Sequence, residues 1–269
     1  DAGSTVSANA EDTARVYNIA IGVGGAGNVA VQGASATTLI NKETSAGINS
    51  TNIDAGHEGS TKANVTVDAQ NSSEITSSAD VAAAAGSGAG VGAGIAVNRI
   101  IQQTNATVNG GTMNINNLTV NANAAPRIEN IGIGAGVAGT GAGVTGSVAV
   151  NMIENDAAAH IGGGANIVAD DNVGVVATSD EQIANYVGSA SVAGTGAAVG
   201  ASVSVNKITG TTSATVGDEN TDTKVTAKGN GSDLTTNTAI NKDTINNALI
   251  DNDTVDIDSH IARGEESRK

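Results

Sequence analysis

The chain has 269 residues, a formal net charge of −15, and no Phe, Trp or Cys. Such acidity argues against nucleic acid, whose recognition starts from basic patches, and against anionic membrane surfaces; missing thiols exclude disulfide staples and thiolate metal sites. Tyr17 and Tyr186 are the only aromatics beside 36 glycines and the single Pro126, so any core must be made of Val, Ile, Ala and Gly. Residues this small fill a core only where backbones approach closely over a long, regular contact.

A Val-x-Ala tripeptide appears first at Val6-Ala8 and returns at Val67-Ala69, Val120-Ala122, Val175-Ala177 and Val225-Ala227, in steps of 61, 53, 55 and 50 residues. A second landmark moves with it. Ile95-Ala-Val-Asn98, Val148-Ala-Val-Asn151 and Val203-Ser-Val-Asn206 are near copies with their asparagines 53 and 55 residues apart, and a degenerate copy ends near Thr38. Periodicity of this size implies an array in which each unit buries its apolar face against its neighbours.

The Gly/Ala-rich segments at 82–94, 131–143 and 187–201 read as long strands, paired in each repeat, whose small inward residues let opposing sheets nearly touch. A flexible linker is the alternative, and Val81-Ala-Ala-Ala-Ala85 could open a helix, but Gly86, Gly88 and Gly90 would end it at once. The clearest unit runs from about 117 to 178. Leu118, Val120 and Ala122 alternate with Thr119, Asn121 and Asn123; Ile131, Ile133 and Val137 alternate with Gly132, Gly134 and Gly136. After a Gly139-Thr-Gly141 turn, Val144, Gly146, Val148 and Val150 share the face opposite Thr145, Ser147, Ala149 and Asn151. Period-two alternation of β-branched residues, punctuated by Gly and Asp clusters, predicts strands almost throughout. It also argues against a disordered chain, and collagen is excluded because the glycines have no three-residue period. Val120, Val148 and Val150 are expected to face inward, with Thr119 and Asn121 facing solvent or a neighbouring side-chain ladder.

These elements predict an all-β fold, a parallel β-solenoid of four to five repeats of roughly 53–60 residues over 1–227. Residues 228–269 form a partial rung, a cap or a disordered acidic tail. One repeat per rung is expected, which makes Asn98, Asn151 and Asn206 an asparagine ladder with a structural role.

Little catalytic chemistry is visible. His57, His160 and His260 stand apart, and His160 shares a strand position with Gly47, Thr107 and Thr215. Asp170-Asp171 reads as a turn. Asp251, Asp253, Asp256 and Asp258 lack the glycine of a calcium loop and read as a solvated acidic face. Thr66, Thr119 and Thr226, interrupted by Gly174, suggest a weak outward column. Gly132-Ile-Gly134-Ala-Gly136 lies in a strand with no following helix, so it is no dinucleotide fingerprint. No catalytic residue, cofactor site or metal site is expected.

Ser147-Val-Ala-Val-Asn-Met-Ile153, Ala157-Ala-Ala-His-Ile161, Ala165-Asn-Ile-Val-Ala169 and Asn172-Val-Gly-Val-Val-Ala177 resemble the repeats of large secreted bacterial adhesins. The similar family is the filamentous haemagglutinin-like and leukotoxin-like type, exported by two-partner or autotransporter routes. The resemblance covers 1–227. It implies an extracellular or cell-surface stalk, a part in adhesion and virulence, and host glycans, host proteins or other bacteria as partners. It carries no catalytic residue over. Neither nucleic acid nor membrane insertion by this segment is expected, and the segment reads as a piece of a longer protein. The alternatives are a self-assembling extracellular filament or matrix subunit and, less favoured, a carbohydrate-active β-helix enzyme. The enzyme would need a groove with clustered carboxylates and basic residues on adjacent rungs, whereas the 12 Lys and Arg are scattered and aromatics to stack sugar rings are scarce.

Overall fold

The computed structural model describes residues 5–54 and 62–229, all within the first of two compact units, Asp1–Thr236. Expectations for His57, for His260 and for the acidic stretch 251–258 fall outside the described residues. Among those described there is no helix; thirteen strands stack in three parallel sheets. The chain is a parallel β-solenoid.

One sheet holds β1 (Thr5–Ala26), β4 (Asn64–Ala85), β7 (Leu118–Ala138), and the pair β10 (Val173–Ser179) and β11 (Gln182–Ala193). A second holds β2 (Ala30–Asn49), β5 (Gly90–Asn109), β8 (Gly143–Gly162) and β12 (Ala198–Val216). Short strands make the third: β3 (Ile53–Asp54), β6 (Thr112–Ile115), β9 (Asn166–Ala169) and β13 (Lys224–Ala227). Each rung thus runs out along the first sheet, turns, returns along the second and closes through the third. Thr38, Asn98, Asn151 and Asn206 are successive register partners. One repeat therefore makes one rung.

Two landmarks need correction. Val6 pairs with Val65, so the first Val-x-Ala copy is out of register by two residues. Val225 pairs with Ile167 in the third sheet, whereas Val67, Val120 and Val175 form a true column in the first. Thr226 therefore leaves the threonine column, where Ser7, Thr66, Thr119 and Gly174 stand together. Val-x-Ala recurs because it is a generic half-buried strand, and so it does not mark one place in the rung. Pro126 marks a real interruption. Ser179 pairs with Ala124 and Gln182 with Arg127, leaving a gap opposite Ala125 and Pro126, because a prolyl nitrogen has no hydrogen to donate.

Each rung has two parts. Near the third sheet, side chains from all three sheets enclose a core that includes Ile48, Val65, Val67, Met113, Ile115, Leu118, Val120, Ile161 and Ile167. Beyond it the first two sheets face one another as a thin blade, through a layer of Ile40, Ile75, Ile100, Ile128 and Ile153 and then one of Ala36, Ala79, Ala96 and Ala149. Further out the inward positions are mostly glycine, alanine or hydroxyl residues, with Val81 buried against Gly92. A Cβ on Gly94 would stand 2.6 Å from the Ala79 carbonyl oxygen, so only glycine admits this approach. Thr145 Oγ1 lies 2.8 Å from Ser191 Oγ across the blade, and Ser147 Oγ donates to the Gly188 carbonyl at 3.3 Å.

Val148 and Val150 consequently do not face inward. Val148 is 38% exposed and Val150 half-buried, while Thr145, Ser147, Ala149 and Asn151 are the buried partners of the alternation. The period was right and the face was wrong: in β8 the inward places are taken by Thr145, Ser147 and Ala149, and β-branched Thr145 and Val81 fit between the sheets only where Gly136 and Gly92 face them. Val120, in the three-sided core, is fully buried, and Thr119 is half-buried on the other face of its strand. Asn121 lies on that face too, donating to Asp68 Oδ1 at 2.7 Å.

Candidate interaction surface

Small inward residues in the outer part of the blade leave most of its valines and isoleucines outside. On the second sheet, Val31, Val91, Val144 and Val199 stand in one column and Gly33, Ala93, Gly146 and Ala201 in the next. Ser35, Ile95, Val148 and Val203 follow, then Thr37, Val97, Val150 and Val205. No position in this four-by-four lattice carries charge. Val31 at 66%, Val199 at 55% and Val203 at 52% are well exposed. Charge begins at the following column, Leu39, Arg99, Met152 and Lys207, where Arg99 makes two 2.9 Å bonds to Glu154. The first sheet is apolar outside as well, with Ile19, Ile21, Val23, Ile131, Ile133, Val137, Tyr186 and Val192 exposed, but Asp80 interrupts it. Contiguous outward apolar surface of this kind marks an interaction site.

Sequence reasoning missed this surface. The signal was available at 144–151, where every second residue is Thr, Ser, Ala or Asn beside Val, as in the neighbouring Ile/Gly strand. Taking valine for an inward residue by default hid it.

The asparagines lie inside. Asn98 Nδ2 donates to Asn151 Oδ1 at 2.9 Å, and Asn151 Nδ2 to Asn206 Oδ1 at 3.0 Å. A second file from the facing sheet runs beside them: Asn130 donates to Asn185 at 2.9 Å, and Asn98 reaches Asn130 at 3.4 Å. Asn98 and Asn151 are wholly buried. This double ladder pairs most of the amides between the isoleucine and alanine layers, leaving Asn98 Oδ1 without a partner, and it is closed to a ligand. Deeper still, Gln102, Thr104, Thr44 and Asn71 are buried polar residues of the same wedge.

Titratable groups are structural in placement. His160 Nε2 lies 3.0 Å from Asp218 Oδ1, and Nδ1 lies 2.8 Å from Thr215 Oγ1. This is the order hydroxyl, imidazole, carboxylate, but the Gly163 N–H that could serve as an anion donor is bonded to Asp218 Oδ2 at 2.5 Å. That bond holds the Asp218 carboxyl below the usual range, with smaller help from Thr221 and His160. The group pins a turn to the edge of β8. Asp170 accepts from Lys228 at 2.5 Å and meets Lys62 at 2.7 Å; these bonds, Lys228 first, likewise lower its pKa. Asp171 is buried beside it, hydrogen-bonded to the Asn172 amide. Among the described residues no cluster of three or more His, Asp or Glu could hold a metal ion, and no helix is long and apolar enough to cross a membrane.

Comparison of the chain with protein-family models, curated proteins and solved structures gave no match.

Proposed function

We propose that this chain is a structural and adhesive segment of a bacterial cell-surface or secreted protein, without enzymatic activity. The observation that carries the reading is the uncharged outward lattice of the second sheet, built on four in-register rungs. Long parallel ladders and buried asparagine files give the rungs lateral stiffness, while the blade presents apolar surface at low cost to the core. The repeats' resemblance to filamentous haemagglutinin-like adhesins supports extracellular placement, and with it host glycans, host proteins or other bacteria as partners. The scarcity of aromatic and basic residues disfavours a polysaccharide-degrading enzyme, whose groove needs both.

The test is a glycan and host-protein array probed with the purified chain. Retention of particular ligands by wild type and their loss with Val148→Lys, at an unchanged melting temperature, is the expected result. Silence across the array, together with no binding of chain-coated beads to host cells or bacteria, overturns the adhesive reading and leaves a spacer.

A further inference from the structure

We propose that the outward lattice of the second sheet is an interface between two copies of this chain, packed face to face about a two-fold axis. The proposal assigns to a second copy the same face on which the adhesive reading seats a ligand, so the two are alternatives for that surface. Its relief suits self-pairing. The column Ser35-Ile95-Val148-Val203 is a ridge, and the adjacent column Gly33-Ala93-Gly146-Ala201 is a trough. A further valine ridge flanks the trough, so the two ridges stand about 13 Å apart at a rise of about 3.3 Å per residue. A two-fold axis passing between this ridge and the trough seats each copy's Ser35-Ile95-Val148-Val203 ridge in the other's trough and lays the Val31-Val91-Val144-Val199 column against Thr37-Val97-Val150-Val205. Each contact is returned by the other copy, as an isologous interface requires. Both copies carry the same strand spacing, so the knobs stay in phase along all four rungs, as sheets do when they stack about 10 Å apart.

Area and charge agree with this occupant. Four rungs by seven residues cover about 440 Å² per copy, about 900 Å² per pair, the size of a weak, reversible interface. With a net charge of −15, two copies repel except where a neutral patch lets them meet, and this lattice is such a patch. The other occupants of a flat apolar face fit less well. A lipid surface calls for basic or aromatic anchors, and the lattice has neither. A glycan calls for stacking aromatics or hydrogen-bonding groups, and here only Ser35 and Thr37 offer a hydroxyl.

Sedimentation velocity of the full chain over a concentration series is the primary test. A monomer–dimer equilibrium in the micromolar range is expected, with Val148→Lys weakening it at least about tenfold by burying a charge at its centre. Ile133→Lys on the opposite blade face should leave it unchanged. Melting temperatures report whether each variant folds, and Val203→Lys on the same ridge serves if Val148→Lys does not. Because the chain has no cysteine, a spin label on Val148→Cys should show a distance under about 20 Å between copies, as stacked sheets require. A monomer at every concentration overturns the proposal, as does association that survives both ridge variants or is lost with Ile133→Lys. Monomers that bind liposomes or array ligands through the ridge reassign the face to those partners and equally overturn it.

Discussion

One strand crosses two environments. In β7, the first residues put Leu118, Val120 and Ala122 into the three-sided core and polar side chains on the other face. A dozen residues later the same strand puts Gly132, Gly134 and Gly136 inward and leaves Ile131, Ile133 and Val137 exposed. The alternation persists while its hydrophobic sense reverses. What changes is the room inside: three sheets enclose isoleucine and methionine, the two facing sheets still hold one isoleucine layer, and the outer blade is filled mainly by glycine, alanine and hydroxyl residues, with Val81 opposite Gly92. Burial here is decided by volume before hydropathy, which is why valine, normally an inward residue, becomes surface.

Paired aspartates break this comparison open. Val120→Asp places an unpaired charge in a fully buried position and should cost about 4 kcal/mol or more, enough to abolish the cooperative melt. Val148→Asp, at 38% exposure, should change stability by no more than about 0.5 kcal/mol. Circular dichroism melts of the two variants decide it, and equal losses would sink the reversed assignment. Gly94→Val probes the blade from inside. Its Cβ would stand 2.6 Å from the Ala79 carbonyl oxygen, so overpacking should cost about 3 kcal/mol in a denaturant titration. A harmless Gly94→Val would mean that the sheets part easily.

The ladder sits at the boundary between the two regions. Asn151→Ala removes the acceptor of Asn98 and the donor to Asn206. About 2 kcal/mol should be lost, the penalty of leaving buried amide groups unsatisfied. The secondary contact of Asn98 with Asn130 at 3.4 Å limits the damage. Asn206→Ala, at the exposed end of the file, should cost measurably less. Equal melting temperatures for the two variants would deny the ladder a graded role.

Strand content, rung length and the asparagine column were legible because each rests on periodicity, which a single chain records directly. Thr38, Asn98, Asn151 and Asn206 could be placed in one column before any coordinates. The outward lattice was not legible as a site, because a period of two names two faces without saying which is buried. Gly94 and Gly146 carried the deciding information, since glycine recurs where backbones meet, but Gly146 itself sits in the outward trough and Gly94 inward. Only the registered partners separate those cases. Val6 and Thr226 misled for a related reason: local tripeptides repeat more often than rungs do. The pairing of His160 with Asp218 and of Asp170 with Lys62 and Lys228 depends on corners brought together by stacking, at separations no local motif encodes.

The smallest expected effect tests whether those corners matter beside the two interiors. Asp170 bridges Lys62 and Lys228, and its carboxyl pKa is depressed in the folded chain, first by the Lys228 hydrogen bond and then by that from Lys62. A carboxyl with a lowered folded pKa stabilises the fold at every pH above its unfolded value of about 3.9 and loses that contribution as pH falls through the folded value. The side chains are 20 to 45% exposed, so solvent and salt screen the pairs and the gain at neutral pH should be only about 0.5 kcal/mol. Asp170→Asn should therefore melt slightly below wild type at pH 7, with the two curves converging toward pH 3 and also at high salt. Curves that stay parallel across that range would show that Asp170 acts through its shape at the corner and its charge contributes nothing.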